Sequence, residues 1–285
     1  MSKSNNNGRV LEYLIVDYII KKFGSKVSLS KNTIREQERD FQKLSDIKSE
    51  VLENMKVSSE KISKWLNEEV KENSFLVERL VDGEGTKGDV TDIRITVNGE
   101  KLNLSIKHNH SALKHQRPGP TPQHFDFPKG SVTDKEFRTK YSENWLEFRK
   151  NISNINSNVK LYKEIDSHVS ELLYLPMCTL VSEFINTHGT VKERSDYYLK
   201  FLVGNTNFKK IIVYPDSKIF IKSYDNIPVS LKVTSSVVKK NHIEVDFHNG
   251  ILLDMRLHTA SSRYSQNSLK FDTQSKEFDV STIEL

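Results

Sequence analysis

The chain has 285 residues, 36% hydrophobic and 28% charged, with one cysteine; it is long enough for one large or two modest cores and too apolar for a disordered polymer. Lys and Arg outnumber Asp and Glu by 43 to 38, giving +5 and a pI near 9.0, a balance that suits a polyanionic partner. The lone Cys178 excludes an intramolecular disulfide, no apolar run approaches the ~20 residues needed to span a bilayer, and residues 1–7 are polar where a signal peptide is apolar, so a cytoplasmic protein without a membrane partner is expected.

Leu11, Leu14, Ile15, Tyr18, Ile19 and Phe23 recur at three- and four-residue intervals and predict an amphipathic helix that stops near Gly24. Ile34, Phe41, Leu44, Ile47, Val51, Leu52 and Met55 predict the apolar face of a second, long and charged helix; Ile62, Trp65 and Leu66 mark a third. After Asn73 the period changes: residues 74–81 read as a strand and Asp82-Gly83-Glu84-Gly85 as a turn. Ile93, Ile95 and Val97, then Asn98-Gly99, then Leu102, Leu104 and Ile106 predict a two-residue hairpin with apolar residues on one face.

Four prolines between 118 and 128 predict an irregular loop running over a surface or groove. Helical patterns return at Phe137 to Ile152, at 172–187 and at 191–203, and Cys178 falls in an apolar run as a buried thiol. Alternating runs at 211–214, 218–222, 229–238, 242–247 and 251–257 predict a strand-rich remainder. The expected class is α+β: a helical N-terminal region over 1–72, a core with the hairpin over 73–205, and a β-rich part over 206–285 that either stands alone or continues the core sheet.

With Ile93 and Ile95 inward, Asp92, Arg94 and Thr96 face the other way; with Leu104 and Ile106 inward, so do Ser105 and Lys107. The hairpin thus brings Asp92 and Lys107 to one polar face. Phosphodiester hydrolysis uses such a pair, because a carboxylate holds a divalent cation while an ammonium positions the attacking hydroxide. Asp89 is a second candidate ligand. The strand runs on into Ser105-Ile-Lys-His-Asn-His110 and Leu113-Lys-His-Gln-Arg-Pro118, dense in cations.

Together with Gly88-Asp-Val-Thr-Asp-Ile93, these segments resemble the signature of type II restriction endonucleases of the HaeIII type, and residues 197–213 carry a weaker echo of the same family. The resemblance implies the PD-(D/E)xK nuclease fold, a mixed sheet flanked by helices, and Mg²⁺-dependent cleavage of double-stranded DNA at a short palindrome, GGCC if the HaeIII likeness holds. Carried over by position, Asp92 is the metal-binding aspartate and Lys107 the catalytic lysine. Ser105 stands where the middle acid belongs and offers only a neutral hydroxyl, so a second carboxylate must come from elsewhere, with Glu78, Glu84 and Asp89 as candidates. A homodimer and a cognate DNA methyltransferase are the expected partners.

His108, Asn109, His110, Lys114, His115 and Arg117 are expected to bind the DNA backbone near the cut. Gln116, Arg117 and Gln123, and likewise Arg256, His258, Ser261, Ser262 and Arg263, are candidates for guanine edges. Two other readings fit the same residues. One is a zinc or ββα-metal (HNH-like) nuclease with a histidine base, weakened by the missing Cys pair and by His108 and His110 alternating across a strand. The other is a DNA-binding protein that lost cutting with its middle acid.

Overall fold

A computed structural model describes residues 3–71, 73–80, 89–278 and 280–285. In chain order the helices and strands are α1 (Lys3–Phe23), β1 (Val27–Leu29), α2 (Lys31–Phe41), α3 (Ser49–Val70), β2 (Phe75–Arg79), β3 (Ile93–Val97), β4 (Glu100–His108) and β5 (Lys114–Gln116). Then come α4 (Thr121–His124), α5 (Val132–Ile155), α6 (Asp166–Val169), α7 (Leu175–His188) and α8 (Lys192–Val203). The chain finishes with β6 (Phe208–Val213), β7 (Ile219–Tyr224), β8 (Thr234–Lys239), β9 (His242–Asp246), β10 (Leu252–Thr259), β11 (Leu269–Glu277) and β12 (Ser281–Glu284). The expected α+β class holds, with N-terminal helices, a mixed sheet and a strand-rich C-terminal part.

The chain divides into two compact units, Met1–Ser111 with Gly204–Ile227 and Val280–Leu285, and Ala112–Val203 with Pro228–Asp279. Residues expected as the helical region fall wholly in the first unit, while the expected core and β-rich segments are each divided between the two.

In the first unit seven strands form a mixed sheet in the order β1-β2-β3-β4-β6-β7-β12, with β1/β2 and β4/β6 parallel and the other pairs antiparallel. The β3–β4 hairpin forms as predicted, because Asn98 (φ 51°) and Gly99 (φ 88°) both take the left-handed conformation that a two-residue turn matching strand twist requires. Val10, Leu11, Leu14, Ile15 and Ile19 of α1 and Met55, Ile62, Trp65 and Leu66 of α3 close the core with Ile93, Ile95, Leu104, Ile106, Ile211 and Ile221. Each such side chain contributes about 1.5–3 kcal/mol on burial.

The helical hairpin differs from the sequence expectation in two ways. The break falls at 42–48, so Ile62, Trp65 and Leu66 extend the helix of Val51 and Met55 instead of starting another. The inward face of α2 is polar: Thr33, Glu36 and Asp40 are buried while Ile34 and Phe41 are exposed. The cause is Arg79 on β2, only 1% exposed, whose guanidinium donates to Glu12, Gln37 and Asp40 at 2.9, 3.0 and 2.7 Å. A buried guanidinium must be paired, so α2 turns its acids inward.

The second unit holds an antiparallel sheet in the order β5-β11-β10-β9-β8 together with α4 to α8. The proline-rich segment is not a surface loop: Thr121 to His124 form the short α4, capped by Pro120 and Phe125, and Thr121, Pro122, His124 and Phe125 are buried. The missing N–H of Pro122 falls in the first turn of this helix, where no bond is lost. Of the alternating run at 229–238 the second half, from Thr234, joins β8, while Val229 and Leu231 before it are exposed. Cys178 is buried as expected, and burial pushes its thiol up to about 12. No helix among the described residues is long and apolar enough to cross a membrane.

Candidate functional site

The site begins where β3 ends its pairing at Leu104 and leaves the last four residues of β4, Ser105 to His108, without a β3 partner. Ile93 pairs with Leu104, and the ladder continues through Asp92, whose N–H donates to the Leu104 carbonyl at 2.9 Å and whose carbonyl accepts from Leu80 N at 3.0 Å. The next N–H along β4 is satisfied by the Asp92 side chain instead of a strand: Ile106 N donates to Asp92 Oδ2 at 2.6 Å. The same oxygen lies 3.2 Å from Lys107 Nζ and 3.4 Å from Ser105 Oγ. The three residues carried over from the family signature therefore meet at one carboxylate oxygen, with Ser105 only 2% exposed.

The remaining acid candidates are placed differently. Asp89 accepts from Thr91 N at 3.0 Å and from Arg94 Nη2 at 2.7 Å. Burial pushes its carboxyl up, but these bonds prevail and hold it below the usual carboxylate range. Arg94 also donates to Asn103 at 2.8 Å, so Asp89 belongs to a polar chain beside the hairpin. Glu78 stands opposite Arg94 in the β2–β3 register. Glu84 and the turn predicted at 82–85 lie outside the described residues. No group of three or more His, Cys, Asp or Glu side chains placed to share a metal occurs among the described residues.

Two titratable groups near Asp92 escaped the sequence reading. Glu12 of α1 is raised to about 7 by burial and by the field of Asp92, against the pull of Arg79. Lys210 of β6 pairs with Ser105 across the parallel β4–β6 ladder, is 1% exposed and donates to the Ser111 carbonyl. Burial, then Lys107 and Lys222, lower its ammonium to about 6, with Asp92 acting the other way. A signal was present for Lys210, since Phe208, Lys210 and Ile212 alternate on one face of an apolar strand. For Glu12 the helix periodicity carried none.

The residues expected to contact DNA divide between the units. His108, Asn109 and His110 belong to the first. Burial lowers the His108 imidazole, and Asn109, at φ 57°, ends the strand there. His110 is thus not a strand residue, and the expected alternation of His108 and His110 across a sheet is corrected by that left-handed turn. Lys114, His115, Arg117, Arg256 and His258 lie in the second unit.

Lys114 sits over the Phe201 ring with Nζ 4.1 Å from its centroid, and burial lowers it to about 8. His124 stacks on the same ring at 3.9 Å and is lowered to about 3 by burial and then by Lys114. Arg117 is exposed. Gln116 and Gln123 do not present themselves for base reading. Gln116 is buried and bonded to Thr273 at 2.8 Å, and Gln123 binds Asp134 and Arg138. Both amides spend their donors and acceptors on partners inside the protein.

The family model described as HaeIII restriction endonuclease matches residues 8–239. The type II restriction enzyme HaeIII of Haemophilus aegyptius is 25% identical over 316 aligned residues, covering 95% of this chain and 93% of that protein. No solved structure matches the chain. A family match spanning the hairpin and most of both units is more than a local motif can produce, and the chain belongs to the HaeIII restriction endonuclease family.

Proposed function

We propose that the protein is a type II restriction endonuclease that hydrolyses both strands of a short palindromic DNA site, GGCC by its family likeness, at the Asp92–Lys107 pair on a PD-(D/E)xK core. The observation that carries this reading is the 3.2 Å contact between Lys107 Nζ and Asp92 Oδ2 at the end of the β3–β4 hairpin, inside the family match. The donor set suits Mg²⁺, which keeps several waters and takes one or two protein carboxylates with phosphate oxygens. Asp92 would hold it, and the ion, once bound, would neutralise phosphate charge and lower the pKa of its water.

The chain's own groups do the rest. Ile106 N–H fixes the Asp92 carboxylate, and Lys107 donates toward the attacking oxygen and the scissile phosphate. The water oxygen bonds to phosphorus as the P–O3′ bond breaks, leaving a 3′-hydroxyl and a 5′-phosphate. His108, Asn109 and His110 follow directly on the catalytic strand and supply donors for backbone phosphates. A homodimer matching the two-fold symmetry of the site, a cognate methyltransferase and a cytoplasmic setting complete the proposal.

Purified protein with plasmid and Mg²⁺ is expected to give discrete fragments whose ends map to one sequence. Ser105 in place of the middle acid motivates the alternative of a binding protein without cutting. Intact plasmid at concentrations that shift the same DNA in a gel would establish that alternative, and cutting that survives Lys107→Ala but not His108→Ala would establish the histidine-based one.

A further inference from the structure

The polar face of the second sheet gathers an arginine and two histidines on one carboxylate that the sequence reading had not marked. Asp272 of β11 stands opposite Arg256 of β10 on one side and His115 of β5 on the other. Arg256 Nη2 donates to Asp272 Oδ2 at 3.1 Å, and His115 Nδ1 and His258 Nε2 lie 2.5 and 3.1 Å from Oδ1. The alternate residues Met255, Leu257, Phe271 and Thr273 are buried, so the cluster occupies the opposite face. Burial pushes Asp272 up, yet His115, His258 and Arg256 hold it below the usual carboxylate range.

Pairing alone does not account for this arrangement. An exposed ion pair adds little to stability, and one cation would neutralise Asp272. The consequence lies in Arg256. Its side chain is 53% exposed, whereas that of Asp272 is 15% exposed, so one edge of the guanidinium is tied down and the other N–H donors are offered outward. Anchoring a long side chain beforehand removes ordering cost on binding. A free guanidinium edge is the donor fork that fits the O6 and N7 acceptors of guanine, and strands enter the major groove in several protein classes. The Asp272 charge beside it disfavours a backbone phosphate at the same spot.

We infer that Arg256 reads a guanine edge in the major groove and that Asp272 is the positioning residue that aims it. This rests on the reading of the protein as a site-specific DNA enzyme, and it adds the residue pair that selects a base.

The test measures binding by gel shift without Mg²⁺, on duplexes carrying the preferred site, obtained by selection from random DNA so that cutting is not needed. One guanine at a time is replaced by 7-deazaguanine, which lacks N7, or by inosine, which lacks only the minor-groove amino group. The wild-type protein is expected to lose about 10-fold at one guanine with the deaza base, a loss on the scale of a single base-edge contact, and little there with inosine. Arg256→Ala is expected to weaken binding to the intact site and to show no further deaza loss at that guanine. Asp272→Asn is expected to shrink the deaza loss at the same guanine and nowhere else, with an unchanged thermal unfolding midpoint for both variants. Uniform weakening across all duplexes would mean a phosphate contact, and an undiminished deaza penalty in Arg256→Ala would mean a solvated ion pair; either result overturns the inference. Plasmid cutting by the wild-type protein in Mg²⁺, scored separately, decides the functional reading independently.

Discussion

Lys107 and Asp92, fifteen positions apart, meet at 3.2 Å because the hairpin register sets Ile93 against Leu104 and leaves the Asp92 carboxylate to cap Ile106 N–H. The backbone bond fixes the carboxylate, and the carboxylate in turn fixes the ammonium. Lys107→Ala is therefore expected to lower the DNA cleavage rate by about 100- to 1000-fold, the loss typical of one preorganised charged donor, while gel-shift affinity changes little. Asp92→Asn keeps the shape of the cap but not its charge, and at least as large a loss in single-turnover cleavage is expected.

Arg79 joins α1, α2 and β2 through Glu12, Gln37 and Asp40. Removing one member of a buried ionic set leaves the others desolvated and short of partners, at about 3–5 kcal/mol. Arg79→Met is expected near the lower end, since Arg39 and Lys43 still pair with Asp40. Urea unfolding should show a lower midpoint with an unchanged slope. Arg79→Lys should recover little of the loss, because one compact ammonium does not reproduce a forked donor.

Lys210 gives a pH dependence of definite sign. Its folded value, about 6, lies below the ordinary 10.5, chiefly through burial. Between those values the unfolded chain holds the proton and the native protein does not, so stability rises with pH across that window and is lost as pH falls through about 6. Lys210→Met removes the titrating group. Urea midpoints measured from pH 6 to 9 are expected to climb less steeply for this variant than for the wild-type protein, with the variant gaining most at the acid end. Parallel curves for the two proteins would refute the burial argument.

Gly189 closes α7 against the segment before β8. A Cβ there would come within 2.3 Å of the Val233 carbonyl oxygen and 2.6 Å of that of Ile185, both backbone atoms. The Gly189 carbonyl also accepts from Val233 N at 2.8 Å, so the approach cannot relax without losing that bond. Gly189→Ala is expected to cost about 1–3 kcal/mol, the usual range for forced overpacking, read as a lower thermal unfolding midpoint.

What the sequence by itself determined was local. Asn98-Gly99 between alternating strands dictates a hairpin, and alternation with a period of two dictates which side chains share a face, so Asp92, Ser105 and Lys107 were legible as neighbours before any coordinates. The apolar stripes of α1, α5, α7 and α8 were legible from recurrence at three- and four-residue intervals. Long-range pairing decided the rest. The inward face of α2 is set by an arginine 39 residues beyond Asp40, and an isolated helix reads such a face as solvent-exposed. Lys210 comes beside Ser105, and Asp272 beside His115 and Arg256, only through strand registers that join distant segments. Those pairings are selected by the packing of whole sheets, a sum over many side chains that no single stretch of residues contains.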